Sequence, residues 1–337
     1  MFMILMDRCK AFWVLFSLIA VSYNSLANTG LEERNRQSVF LQLTQIMENG
    51  EFDNSQLTSI LPRLNPQASL KRELPTPFII GGSAVARNAF PEYTLVILTD
   101  GLGNIVGFCG GTVIASNKVL SAAHCSQNSA SSYFLIPGFY SFNDPLTAAD
   151  LVTLVSVVDH PSYRNQALDF DLGVMTLSRT VAITPAKVVS GNNQLVGKVG
   201  TVIGTGLTAT TPTPIAPDLL LGVDTPIVSN SSCSQTYIRF SGQDPITENM
   251  LCAGFANSGE GSCSGDSGGP LFVGEGDRRA ISGVVSFGFA TCEAQRATSV
   301  YARVTAFNDF IKQQSPNTEF VNFNISLASI YSFLMDD

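Results

Sequence analysis

Histidine is nearly absent from this chain: its 337 residues include only His124 and His160. Tryptophan occurs once, and charged residues make up just 14%. So little charge, with a net of −8, excludes a partner built on phosphates and therefore nucleic acid. A hydrophobic share of 45% is too high for a disordered chain and is enough for a sizeable core. No apolar run reaches the ~18–20 residues that a membrane-crossing helix needs. No two cysteines have the C-x-x-C spacing of a zinc site, so no metal and no cofactor is expected.

The longest apolar run is AFWVLFSLIAV, residues 11–21, and it follows Arg8 and Lys10. A charged start, a short apolar segment and small residues ending at Ala27 have the form of a secretory signal. Residues 1–27 are therefore expected to direct export and to be removed. Cys9 would leave with them, and six of the seven cysteines would remain. An even count in a secreted chain suggests three disulfides, although six cysteines allow 15 pairings.

Beyond the signal the texture changes twice. Residues 28–62 are charged and rich in helix formers, and the stretch from Leu61 to Phe78 carries four prolines and the Lys71-Arg72 pair. From Ile79 onward the chain breaks into short β-rich runs, among them YTLVILT, GTVIAS, LGVMTL and AISGVVSFG. Gly, Ser, Asn and Pro separate them. Helical spacing is next apparent at VTAFNDFIKQQ, residues 304–314. Many short strands with one closing helix predict an all-β barrel or sandwich of about 235 residues. The expected division is a signal at 1–27, a propeptide at 28–78, a main domain at 79–315 and a tail at 316–337. The tail reads as a packed extra strand or a disordered end.

The chemistry gathers around GSCSGDSGGP, residues 261–270. Glycines here let Gly265 and Ser267 aim their N–H groups at one point, as an oxyanion hole requires. Ser267 is a weak nucleophile without a base. His124, in LSAAHC, is the better candidate, because His160 precedes a proline in a strand-end turn and reads as structural. The base needs a carboxylate to fix its tautomer. In ALDFDLGVMTL the apolar run starts straight after Asp171, which places Asp171 in the interior and leaves Asp169 solvated.

The runs GFCGGTVIASNKVLSAAHC, DFDLGVMTL and GSCSGDSGGP, in that order, resemble the trypsin- and chymotrypsin-like serine endopeptidases. The resemblance extends from Ile79 to about Gln314. It implies two six-stranded antiparallel β-barrels with the active site between them and a C-terminal helix. It also implies a secreted protease, expected to be monomeric, acting on protein or peptide substrates and open to protein protease inhibitors. The implied disulfides are Cys109–Cys125, Cys233–Cys252 and Cys263–Cys292. A further disulfide of many relatives maps to Gly200 and Val273, and both cysteines are missing here.

The same resemblance explains IIGG, residues 79–82. Relatives are cut before such a start, and the freed amine pairs with the Asp before the catalytic Ser, which here is Asp266. The cut would fall between Phe78 and Ile79, where most relatives have Arg or Lys before the bond. The substrate pocket maps to Gly261 at its floor, Gly288 and Ser299 on its walls, and Ser286 and Phe287 beside the substrate backbone. An uncharged floor implies Phe, Tyr, Leu or Met before the scissile bond, with small residues as an elastase-like alternative. Glu293 offers a carboxylate that would restore some basic preference. Asp144 and Asp150 are available oxygen ligands for calcium in the loop after His124, although paired glutamates are missing. Sequons begin at Asn230 and Asn324.

Overall fold

The computed structural model describes residues 79, 81–99, 105–126, 133–147, 149–191, 195–207, 217–254, 260–289 and 298–323. Strands dominate. The first barrel comprises β2 (Tyr93–Thr99), β3 (Ile105–Ala115), β4 (Lys118–Ser121), β5 (Tyr133–Pro137), β6 (Leu154–Asp159) and β7 (Gly173–Leu177). Their order is β5-β2-β3-β4-β7-β6, all antiparallel. Paired bonds between Leu135 and Val152 join β5 to the residues before β6 and close the ring.

The second barrel uses β9 (Val199–Gly204), β10 (Leu221–Val228), β11 (Met250–Ala253), β12 (Pro270–Val273), β13 (Ala280–Phe287) and β14 (Ser299–Arg303). They run β12-β9-β10-β11-β14-β13, and pairing of β12 with β13 completes the circle. Each barrel fills its interior with the inward half of alternating strands. Val113, Leu120, Leu135 and Met175 serve the first, and Val202, Leu251, Leu271 and Tyr301 the second.

Three strands lie outside the two rings. β1 (Ser83–Ala84) pairs with β10, while β8 (Lys187–Ser190) pairs with β13 and β15 (Phe320–Asn322) pairs with β8. The last two pairings are parallel, while both barrels are antiparallel throughout as expected. β8 lies in the connector between the barrels, and Ala186 just before it donates to Val113 of the first barrel. β15 bears out the packed-strand reading for residues 320–322 of the tail, and residues 324–337 lie outside the described residues.

Helix α1 (Asn230–Ser241) had no counterpart in the sequence reading. Only Cys233 and Tyr237 of it are buried, so no apolar stripe announces it. Its ends were nevertheless written in the chain: Ser229 caps the start by accepting from the Ser232 N–H, and Gly242 ends it at φ +74°. The expected C-terminal helix is present as a short 3₁₀ turn, Val304–Phe307, leading into α2 (Asn308–Gln314).

Gly200 and Val273 face each other across β9 and β12, which supports the placing of the missing disulfide there. A different contact ties the barrels. Arg279, before β13, donates to Glu92 Oε1 at 2.6 Å and to the Ala89 carbonyl at 2.8 Å. Its guanidinium lies 4.4 Å from the Phe90 ring centroid and 5.3 Å from that of Phe272. Burial pushes the Glu92 carboxyl above its ordinary range, and Arg279 pulls it partly back. Arg279→Ala would strand a buried carboxylate, at about 2–3 kcal/mol after allowance for the exposed part of the arginine. Urea unfolding should show this loss at pH 8, and a smaller one in acid, where Glu92 is protonated and no charge is stranded.

Candidate active site

The barrels meet along a backbone seam. The Gly110 N–H of β3 donates to the Ser267 carbonyl at 2.7 Å. Gly268 has φ +79°, and a Cβ there would lie 2.3 Å from Ser121 Oγ and 2.4 Å from the Gly110 carbonyl. Only glycine lets the Ser267 turn come this close to β4 and the residues that lead to His124.

His124 sits in a 3₁₀ turn, Ala123–Cys125, anchored by the Cys109–Cys125 disulfide to β3. Its Nδ1 lies 2.7 Å from Asp171 Oδ2, and its own N–H donates to Asp171 Oδ1 at 2.8 Å. Asp171 is buried at 1% exposure, at the mouth of β7, as the apolar run after it predicted. Ser286 Oγ from β13 donates to the same Asp171 Oδ2. The family resemblance places Ser286 only beside the substrate backbone. Its bond to Asp171 is a role that no local motif signals, because the partner is 115 residues away.

Asp169 corrects an expectation: it is buried, not solvated. Its Oδ1 accepts from Thr247 Oγ1 at 2.9 Å, Asn249 Nδ2 at 3.0 Å and the Phe170 N–H at 3.0 Å. Leu168 and Phe170 on either side have φ of +48° and +56°. Such backbone is strained for residues with bulky side chains. The three donors, two of them reaching over from the segment before β11, hold this strained loop and so fix Asp171. His160 behaves as expected. Its ring packs on Phe170, Phe307 and Phe310, and Nδ1 accepts from the Ser162 N–H.

Gly265 has φ +99°. Among the described residues neither the Gly265 nor the Ser267 N–H donates to a backbone carbonyl. Between them Asp266 is wholly buried. Its Oδ1 accepts from the Gly206 N–H at 2.7 Å and its Oδ2 from the Cys263 N–H at 2.8 Å. Burial nonetheless pushes its carboxyl up to about 6. A Cβ at Gly204 would lie 2.0 Å from Asp266 Oδ1, so the GTG run at 204–206 is shaped by this carboxylate.

Ile79 is fully buried in the core of the second barrel, and a Cβ on nearby Gly81 would lie 2.2 Å from Glu260 Cγ. The start of the domain therefore packs beside Gly261. A Cβ at Gly261 would lie 3.1 Å from Ser299 Oγ, whereas one at Gly288 would meet nothing within 4 Å. Phe287 sets its ring edge-on to Tyr237 of α1, 5.9 Å between centroids. Phe78, Cys292 and Glu293 lie outside the described residues. The Cys233–Cys252 disulfide is formed, and Cys263 is also disulfide-bonded.

The described side chains suited to other chemistry are engaged. The Cys109 and Cys125 sulfurs lie within 4.8 Å of a His124 nitrogen, yet both are spent in a disulfide and offer no thiolate. Asn230 donates to the Thr247 and Met250 carbonyls and accepts from Arg303, so its amide is not presented for glycosylation. In the loop after His124, Arg87 grips Asp144 through two bonds of 2.7 and 2.8 Å, and Asp150 accepts from Thr147.

Two closed barrels with a serine, a histidine and an aspartate at their seam define a serine endopeptidase of the chymotrypsin fold. A family model described as Trypsin matches residues 79–311, and the chain belongs to that family. Among curated proteins it is 35% identical to Trypsin-3 of Salmo salar over 213 residues, 60% of this chain and 81% of that one. It is 33% identical to a Trypsin of Xenopus laevis over 243 residues, 69% and 89% of the two chains. Trypsin I-P1 of Gallus gallus matches at 32% over 243 residues, 69% and 88%. The enzyme is a hydrolase of peptide bonds. With Asp144 already held by a guanidinium, millimolar calcium should shift the melting temperature by no more than about 1 °C in scanning calorimetry.

Proposed function

We propose that Ser267 attacks the scissile carbonyl, His124 takes its proton and returns it to the leaving amine, and Asp171 holds the imidazole tautomer. The Gly265 and Ser267 N–H groups receive the oxyanion, worth about 3–4 kcal/mol per donor in the transition state. The observation that carries this reading is the pair of bonds from His124 to Asp171, side chain and backbone both. Stoichiometric labelling of Ser267 by an active-site acylating reagent, lost in His124→Ala, tests it. An unlabelled but active enzyme would refute it.

We further propose a secreted precursor with residues 1–27 as signal, 28–78 as propeptide, 79–315 as the protease and 316–337 as a tail. Among the described residues no helix is long and apolar enough to cross a membrane. Cleavage between Phe78 and Ile79 would give an ammonium to neutralise Asp266 and set the oxyanion donors. The buried Ile79 side chain supports this, and its φ of +51°, strained for a β-branched residue, would be released by the cut. The pocket reading is an uncharged S1 with a floor of Gly261 capped by Ser299 and an open rim at Gly288. That favours Phe, Tyr, Leu or Met over Arg and Lys, in contrast to what a trypsin-like Asp at the floor would select. Such a pocket would accept Phe78, and the precursor would cut itself. A peptide library and the mature N-terminus test the preference. Equal processing of wild-type and Ser267→Ala precursors, free of other proteases, would refute self-cutting.

The uncut chain carries a pH signature. Asp266 has a folded value near 6 against an ordinary 3.8. Its contribution to stability is therefore full below about 3.8 and is lost as pH rises through 6, a cost of about 3 kcal/mol at pH 7. Asp266→Asn should raise the melting temperature of the uncut protein more at pH 7 than at pH 4. In the cut protein the same substitution removes the partner of the Ile79 ammonium and should abolish activity.

A further inference from the structure

Near the catalytic group lies a second carboxylate, Asp159, to which the hydrolytic roles above give no part. It ends β6, half-buried, and its register partner on β7 is Gly173, two residues past Asp171. Ser126 Oγ donates to Asp159 Oδ1. Ser126 is buried and follows His124 by two residues; its hydroxyl is 3.0 Å from the Ala123 carbonyl, which also accepts the Ser126 N–H at 2.9 Å. A Cβ at Gly173 would lie 2.7 Å from Asp159 Oδ1, 3.2 Å from Ser126 Oγ and 3.7 Å from Ala123 Cα. The carboxylate, the hydroxyl and the His124 turn are thus packed over one glycine, and the fit depends on residue 173 having no side chain.

We propose that Asp159 is a positioning residue for His124: through Ser126 it fastens the turn that carries the imidazole, and its charge adds to that of Asp171 in favouring the imidazolium. The proposal rests on His124 being the base. The Asp171 charge is felt at Asp159. Burial raises the Asp159 carboxyl, the Ser126 bond lowers it, and the Asp171 charge raises it again. The other charged groups nearby are engaged elsewhere. His160 stacks on Phe170, Asp169 is held by Thr247 and Asn249, and Lys118 on β4 donates to Thr176. The Ser126 hydroxyl has one proton to give. With Asp159 ionised it goes to the carboxylate; with Asp159 protonated, the acid donates to Ser126 Oγ and Ser126 donates to Ala123. The turn is therefore held in either state, while the added negative charge is present only in the first.

The test is the pH dependence of kcat/KM for the cut enzyme and Asp159→Asn, a substitution that keeps an oxygen for Ser126. Loss of one charge beside the His124 turn should move the acid limb down by about half a pH unit. The plateau should fall by less than tenfold. Ser126→Ala keeps the charge and loosens the turn, so it should lower the plateau without that downward shift. An Asp159→Asn acid limb that superimposes on wild type, or moves up, overturns the proposal. Should Asp159→Asn fail to fold, Asp159→Ser is measured in its place. NMR titration in a Ser267→Ala background gives the same shift without turnover, because His124 and His160 are the only histidines and His160→Gln assigns them. Failure of the base assignment is separately visible as activity surviving His124→Ala.

Discussion

One hydrogen bond organises the molecule: the Gly110 N–H of the first barrel donating to the Ser267 carbonyl of the second. Around it the contact is backbone on backbone. A Cβ on Gly110 would lie 2.7 Å from Gly269 Cα, and one on Gly268 would overlap the strand it faces. Side chains between barrels would leave Ser267 and His124, the proposed nucleophile and base, at a distance set by rotamers. A glycine seam sets it by main-chain geometry, which is stiffer. The reactive residues need only short reaches from there.

A second theme is the concentration of buried carboxylates around this seam. Asp171, Asp169 and Asp266 are all almost wholly shielded from water, and Asp159 is half shielded. Each is held differently: Asp171 by an imidazole and a serine, Asp169 by side-chain and backbone donors, Asp266 by two backbone N–H groups, Asp159 by a serine. Only Asp266 of these four is held by neutral main-chain donors alone, and burial pushes its carboxyl up to about 6. Two backbone bonds do not offset the loss of water around a full negative charge. In the activation proposed above, that imbalance is what an incoming ammonium would relieve.

Sequence patterns revealed the parts of this arrangement that lie within a few residues of one another. The Ser267 run, the Asp171 junction with its apolar strand, and the strand-rich texture after Ile79 are all local. What stayed hidden depends on contacts between distant segments. Asp169 looked solvated because its partners, Thr247 and Asn249, are about 80 residues further on. Ser286 looked like a substrate contact because its bond to Asp171 crosses between barrels. Helix α1 was missed for another reason. It carries almost no apolar stripe, and its capping residues, Ser229 and Gly242, were lost among the turn residues of a β-rich chain.

The last strand has a practical consequence. The family match ends at residue 311, whereas β15 continues to Asn322 and lies along the outer side of β8. It occupies a row of main-chain donors and acceptors that would otherwise face solvent. A recombinant version trimmed to the matched segment would uncover that row on the very connector that joins the two barrels. Uncovered edges of this kind recruit strands from neighbouring molecules. The shortened protein would be the more prone to self-association, although every residue of its reactive centre would be intact.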